Sequence, residues 1–536
     1  MPDTGTSAHD SCERLIAAVH HATGVPPVTA ADVTPLLHRP TALHQLLAER
    51  LPTRAVVAGS LDRRLLLVEN ATRSGWTIAD LSGQEHRTRQ WPAWTRGRLP
   101  LTRPDSWLSG TDVAASTLHR LLKPHLLLVA LYHPEYFPLP RFPLAISDVA
   151  RAARATLMGR VELMDMQLGV TLDDIVGRIE AEGPDIVGIS ATFGQHDLMT
   201  TLMDHLTGLA DPPLVVAGGS LTARNEKLLL ARYPNLLIAR AAGEPTIQDV
   251  LAYGHGDLGL GEVRGIGYRG SVQRGEGTMG IGPARRTATV SNRLQTDIWP
   301  ELDLLEKTFD AGGVAQLECS RGCASSCSFC PRGHKGQWAG AAALDGLPWV
   351  LRELADVFDR HPDVSRTLYL VDEEFFGRGD DAADRALGIS QALHTHGFRW
   401  ETSCRIDQVV RPGEDRAWHV DRGHLWRTLV DHGLRRCLFG GGDALQPRPG
   451  LAQGVDLIQV LGLGRKACPD GTLGRLLQPV EHRPSVRARR RQQSPDALSA
   501  IGPHPLDHAG KHLGVDPRPD GRGHRIQCGE PRQLQR

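Results

Sequence analysis

Three cysteines, Cys323, Cys327 and Cys330, stand in a C-x3-C-x2-C run inside Cys319-Ser-Arg-Gly-Cys323-Ala-Ser-Ser-Cys327-Ser-Phe-Cys330. Three thiolates can hold three corners of a 4Fe-4S cube and leave one iron open to a substrate. A cube with four cysteine ligands is usually limited to electron transfer. Other uses of the triplet fit less well. Structural zinc commonly takes two C-x2-C pairs, or one pair and two histidines, and the next cysteines here are Cys404 and Cys437. A disulfide framework does not suit nine cysteines in 536 residues without a signal peptide. Chance spacing is the remaining alternative. Cys319 lies outside the triplet and reads as a buried thiol packing as a small hydrophobe.

The elements around the cysteines read as α/β. Val314-Ala-Gln-Leu317 is a short apolar run that predicts a strand leading into the cysteine loop. Strands follow at Thr367–Val371, Arg399–Ser403 and Arg436–Phe439, with helices at Pro348–Phe358, Ala382–His396 and Leu425–His432. Repeated β-α units of this length suit a partial (β/α) barrel with its chemistry on the loops at the strands' carboxyl ends. Upstream, five apolar runs predict strands at Leu126–Leu131, Val161–Asp165, Asp185–Ser190, Leu214–Gly219 and Leu236–Ala239. Short runs of this kind, alternating with helical stretches, predict a parallel sheet covered on both faces. Ligands bind such sheets outside the strands' carboxyl ends. Ser190, Gly218, Gly219, Gly243 and Glu244 all fall there, and glycines let a backbone approach a flat ligand closely.

The C-x3-C-x-aromatic-C loop, with Phe329 before its last cysteine, resembles the radical S-adenosylmethionine (SAM) superfamily. Asp185-Ile-Val-Gly-Ile-Ser190, Ala217-Gly-Gly219 and Gly243-Glu244 resemble the cobalamin-binding domain that precedes the barrel in one large class of those enzymes. The resemblance implies a Rossmann-like cobalamin-binding domain followed by a partial radical SAM barrel. It implies three cofactors: a 4Fe-4S cluster on Cys323, Cys327 and Cys330, SAM, and cobalamin working as methylcobalamin. Ser190, Gly218, Gly219, Gly243 and Glu244 would bind cobalamin. Where relatives carry Gly-Gly-Glu to hold the amino group of SAM, this chain has Asp372-Glu373-Glu374, so Glu373 and Arg405 become the candidates for SAM. Other cobalamin proteins supply an axial histidine from Asp-x-His-x-x-Gly. Here Asp165-Met-Gln-Leu-Gly169 has none, which predicts cobalamin without a histidine ligand. His196 is the alternative ligand, and otherwise an exposed loop residue.

Within the class, the run Glu318-Cys-Ser-Arg-Gly-Cys323 and the domain order resemble the tryptophan 2-C-methyltransferases of thiopeptide antibiotic biosynthesis. That resemblance implies methylation of C2 of L-tryptophan through methylcobalamin. Glu318 would be catalytic, occupying the open iron and favouring polar over radical transfer. Glu318 equally reads as a salt-bridged residue at a strand end. The alternative function is a radical SAM C-methyltransferase acting on an unactivated carbon of another natural product. A non-catalytic cobalamin or iron-sulfur protein is a third class.

Formal net charge is zero, so the overall balance points to neither nucleic acid nor a membrane surface. No apolar run approaches a spanning helix, and the start lacks a signal peptide. The reading expects a cytoplasmic monomer acting on a small molecule. The expected divisions are an N-terminal domain of unclear role at 1–122, the cobalamin domain at 123–265, a linker at 266–304 and a truncated barrel at 305–440. Trp76, Trp91, Trp94 and Trp107 in the first of these pack a small domain or cover a cofactor. Residues 441–536 contain no Phe, Tyr, Trp or Met and many Arg, Pro and Gly. A segment without such anchors does not easily offset its ordering entropy. A disordered tail and an out-of-frame translation both account for it, and resequencing the gene distinguishes them.

Overall fold

The computed structural model describes residues 5–440, except 38, 61–62, 82–91, 96, 100–112, 275–277, 289–298, 327–336, 341–345, 378–380 and 412. All of these lie in one compact unit, Met1–Leu477. Cys327, Phe329, Cys330, Trp91, Trp107 and the segment 441–536 fall outside the described residues.

The chain opens with α1 (Gly5–Thr23), α2 (Ala30–Val33) and α3 (Pro40–Arg50), then an antiparallel meander of β1 (Ala55–Ser60), β2 (Arg63–Glu69) and β3 (Trp76–Asp80). Leu65-Leu-Leu-Val68 is apolar throughout because the meander is buried on both faces. Leu66 and Val68 meet Leu15, Leu43 and Leu47 from α1 and α3. Leu65 and Leu67 face a second core with Trp76 and Leu157. Trp76 therefore packs the domain, and Trp94 ties it to the next one by donating from its indole Nε1 to the Thr156 carbonyl at 2.5 Å.

The next stretch comprises α4 (Ala115–Leu122), β4 (His125–Ala130), α5 (Leu144–Arg154), β5 (Arg160–Asp165), α6 (Leu172–Glu182), β6 (Ile186–Ser190), α7 (His196–Gly208) and β7 (Leu214–Gly218). It continues through α8 (Ser220–Arg224), α9 (Glu226–Arg232), β8 (Leu237–Ala239), α10 (Gly243–Gly254), β9 (Ile266–Arg274) and β10 (Thr278–Arg286). The strands form one sheet of order β10-β9-β8-β7-β6-β4-β5, parallel from β5 to β8. Alternate residues of β4 feed two cores. Leu126 and Leu128 face α5 and α10, while Leu127 and Val129 meet Ile175, Ile179, Met199 and Leu202 from α6 and α7. Burial on both faces is why the run shows no polar alternation. Thr171 starts α6 with a reciprocal cap, its Oγ1 accepting from Asp174 N while Asp174 accepts from Thr171 N.

The segment 266–304, read as a linker, begins instead with the β9–β10 hairpin. It extends the sheet antiparallel to β8, with Ile238 opposite Gly267. Ile266 and Tyr268 turn inward to the core, and the Gly- and Arg-rich composition of the other positions hid this pattern.

The last part contains α11 (Leu305–Asp310), β11 (Ala315–Leu317), β12 (Ser320–Cys323), β13 (Gln337–Gly340), α12 (Leu347–Arg360), β14 (Thr367–Leu370), α13 (Ala382–Thr395), β15 (Arg399–Arg405), α14 (Arg416–Asp431) and β16 (Leu434–Gly440). Strands β11, β14, β15 and β16 pair in chain order, all parallel. This is the α/β arrangement expected of a partial barrel. Leu317, Leu370, Phe375 and Trp400 pack its core. Arg151 and Arg154 of α5 join the two sheets' units. Both reach Glu301, at 2.9 and 3.0 Å, Arg154 reaches Asp303 at 2.6 Å, and Arg151 reaches Glu353 of α12 at 3.2 Å. Buried charges of this kind hold a register only while every partner is present.

Candidate functional site

At the carboxyl ends of β4, β6 and β7 the sheet parts from α5 and α10 and leaves a cavity of about 260 Å³. Its floor is low because Gly188 of β6 and Gly218 of β7 carry no side chains. Leu128, Val216, Ile146 and Val149 make apolar walls. Ser190, Gly219, Gly243 and Glu244 line the same space. The five residues singled out from strand ends are thus brought together around one cavity. Gly219 has φ +101, and a Cβ there would stand 2.2 Å from the Ala191 carbonyl oxygen. A Cβ on Gly218 would meet only Ala239 Cβ, at 3.6 Å, so that glycine keeps the cavity open without being sterically required.

Asp148 of α5 also lines the cavity and was missed by the sequence reading, since an acid on an amphipathic helix gives no local signal. Burial, with the Glu244 and Glu318 carboxylates adding to it, pushes its carboxyl well above the usual range. The Asp165–Gly169 segment forms a short 3-10 turn with Asp165 accepting from Gln167 N. His196 is exposed at the start of α7 and does not line the cavity.

Cys323 ends β12, which pairs antiparallel with β13, Cys323 opposite Gln337. The cysteine loop therefore springs from a hairpin base. Asp372 anchors its entry, accepting from the backbone N–H groups of Cys319 at 2.8 Å and Ser320 at 3.1 Å. Burial pushes the Asp372 carboxyl up to about 7 despite those two hydrogen bonds. Glu374 accepts from Arg405 N at 3.0 Å, and burial likewise lifts it to about 7. One oxygen of each acid, Asp372 Oδ2 and Glu374 Oε1, has no hydrogen-bond partner among the described residues. Glu373 between them is half-buried, and its charge acts on Glu318. Arg405 pairs with Asp407 at 2.7 Å and donates to Ser325 Oγ in the cysteine loop. Cys319 is fully buried, and burial, then Asp372, push its thiol well up. That suits a packing role.

One side chain joins the two halves. Arg321 of β12 donates to Glu244 at 2.8 and 3.2 Å and to Glu318 at 2.6 and 3.0 Å. Burial opposes its charge, but the Glu318 and Glu244 carboxylates outweigh burial and hold it protonated. Glu318 itself is raised, by burial first, with Arg321 pulling the other way. Glu318 is thus a salt-bridged residue at a strand end. Arg321 was not singled out from the sequence because its partner Glu244 lies 77 residues away.

The described residues fit the expected groups. The glycine floor and largely apolar walls make a slot for a flat ligand, and Cys323 lies near the positive charge of Arg405. Among the described residues no group of three or more His, Cys, Asp or Glu is placed to hold a metal. None of their helices is long and apolar enough to cross a membrane.

Residues 138–251, spanning α5 to α10 and most of the cavity, match the B12 binding domain family. The solved structure of the cobalamin-dependent SAM radical enzyme OxsB, with aqua-cobalamin and SAM bound, superposes with a TM-score of 0.64. It is 24% identical and covers 82% of this chain and 59% of that one. A curated relative, 4'-phospho-dehydrooxetanocin synthase of Priestia megaterium, is 30% identical over 329 residues, 59% of this chain and 43% of the relative. Cytidylyl-2-hydroxyethylphosphonate methyltransferase of Streptomyces wedmorensis is 30% identical over 307 residues, 51% and 53% of the two chains. The chain spans about half the length of the curated relatives it matches.

Proposed function

We propose that this chain is a cobalamin- and SAM-dependent C-methyltransferase of natural-product biosynthesis. The observation that carries the reading is the Glu244–Arg321–Glu318 bridge, which sets the cavity of the B12-binding domain directly against the strand that bears Cys323. When bound, the cluster, SAM and cobalamin supply the methyl-group and electron chemistry. The chain's own residues hold and orient. Ser190, Gly218, Gly219, Gly243 and Glu244 would receive cobalamin, whose flat benzimidazole suits the slot. Cys323, Cys327 and Cys330 would hold the cluster, and Glu373 with Arg405 would bind SAM beside it. Asp372 fixes the loop's backbone, and the buried pairs of Arg151 and Arg154 keep water from the seam.

Of the two substrate readings, the geometry of Glu318 favours the alternative, a radical reaction at an unactivated carbon. The tryptophan reading needs Glu318 to occupy an open iron, and Arg321 already engages that carboxylate at 2.6 Å. The names of the curated relatives, neither of which is a tryptophan enzyme, support the same choice. Anaerobic turnover with labelled SAM, read by mass spectrometry, separates them. Formation of 5'-deoxyadenosine with a methylated product supports the radical reading. Methylated tryptophan without 5'-deoxyadenosine supports the other.

A further inference from the structure

Asp148 is a buried acid without a hydrogen-bond partner among the described residues. It sits on α5 at the wall of the cavity, one turn from Ala145 and beside Val149. It is 9% exposed. Its carboxyl group makes no hydrogen bond or ion pair with any described residue. Buried polar groups are hydrogen-bonded with few exceptions, and each exception needs a reason. The space in front of Asp148 supplies one. Its floor is bare and its walls are largely apolar, with Ser190, Glu244, Thr246 and Arg321 the polar lining residues beside Asp148, so a flat group that is apolar on its faces and polar at its edge fits. Burial first, then the neighbouring Glu244 and Glu318, push the Asp148 carboxyl well above the usual range, toward the protonated form, which presents an O–H donor. The complementary edge atom is an acceptor nitrogen in the plane of a ring.

We propose that Asp148 determines which cobamide the protein accepts, by donating a hydrogen bond to the ring nitrogen of a benzimidazole-type lower base seated in the cavity. The proposal rests on the cavity's being the cobalamin site. That nitrogen is the one that coordinates cobalt when the nucleotide tail folds back. Seated in an apolar slot it would be buried and unpaired, so the orphan donor and the orphan acceptor satisfy each other. Selectivity follows from the same logic, because a site built to hydrogen-bond a ligand group rejects the analogue lacking it.

The test uses the full chain and absorbance titrations with three probes: hydroxocobalamin, a phenolyl cobamide whose lower ligand has no ring nitrogen, and cobinamide, which lacks the tail. The phenolyl cobamide, with no ring nitrogen to accept, is expected to bind the unaltered protein and Asp148→Ala equally. Asp148→Ala is expected to lose roughly tenfold on hydroxocobalamin and nothing on cobinamide. Asp148→Asn, whose amide still donates, is expected to stay near the unaltered protein. Without ligand, neither variant is expected to melt below it, since no contact is lost. A phenolyl cobamide that loses as much affinity as hydroxocobalamin on going to Asp148→Ala overturns the proposal. So does an Asp148→Ala protein that binds hydroxocobalamin undiminished, or one that loses cobinamide equally. If the unaltered chain binds no cobamide, the cobalamin reading fails and the proposal with it. Binding that ignores Asp148 overturns the proposal alone.

Discussion

Arg321 and Glu244 stand 77 residues apart in the chain and meet in a two-point ion pair, 2.8 and 3.2 Å, at the mouth of the cavity. The same guanidinium holds Glu318, so a single arginine between Cys319 and Cys323 locks the cysteine strand onto the B12-binding domain. Removing Arg321 leaves two largely buried carboxylates without their cation. Arg321→Gln is expected to cost about 3 kcal/mol of unfolding free energy, the cost of breaking a buried pair from one side. Adding Glu244→Gln is expected to recover part of that loss, because one of the two orphaned charges is gone. Denaturant titrations of the four proteins of the cycle measure the coupling, and additive losses would show that the pair contributes nothing.

The two adjacent glycines at the end of β7 should respond in opposite ways. Gly218→Val puts a side chain into open cavity, where even the Cβ meets only Ala239 at 3.6 Å. It is expected to abolish cobalamin binding while leaving the melting temperature close to that of the parent. Gly219→Ala drives a Cβ to 2.2 Å from the Ala191 carbonyl at φ +101. It is expected to destabilise by roughly 1–3 kcal/mol. Calorimetry and cobalamin titration on both variants check the contrast.

The strands at the cavity were legible because Leu126–Val129, Ile186–Ser190 and Leu214–Gly218 are apolar runs buried on both faces, a pattern that survives without any alignment. Their carboxyl ends gave the cavity residues directly. The β9–β10 hairpin was not legible, since only Ile266 and Tyr268 mark its buried face. The β12–β13 pairing was hidden by the cysteine loop between them. Arg321 and Asp148 carry long-range contacts that leave no trace in local spacing, and both were found only once the chain was folded.

Asp372 gives a pH signature. Its carboxyl is raised from 3.8 to about 7 by burial, so the folded protein holds this proton more tightly than the unfolded chain. Its contribution is full below about pH 4 and is lost as pH rises through about 7. Asp372→Asn keeps an oxygen for the Cys319 and Ser320 N–H groups but cannot ionise. Its margin over the parent is expected to grow between pH 5 and pH 8, by on the order of 2–3 kcal/mol. Parallel stability curves across that range would mean that Asp372 does not titrate as the geometry requires.

The cysteines should divide cleanly. Cys323→Ala is expected to lose most of the iron bound after anaerobic reconstitution. Cys319→Ala, which removes a buried thiol with its pKa pushed well up, is expected to keep it. Iron and sulfide assays with the visible absorbance of the cluster report on both. Iron retained in Cys323→Ala would remove that residue from the ligand set.

The central claim is that cobalamin in the cavity and a cluster on the cysteine loop work together on SAM. It is tested without knowing the substrate. The chain is reconstituted anaerobically with cluster and cobalamin, reduced, given methyl-labelled SAM, and assayed for S-adenosylhomocysteine and for label on the bound corrinoid. The account predicts S-adenosylhomocysteine in proportion to bound cobalamin and none in the Gly218→Val protein. SAM left unchanged by a chain that demonstrably holds both cofactors would contradict it.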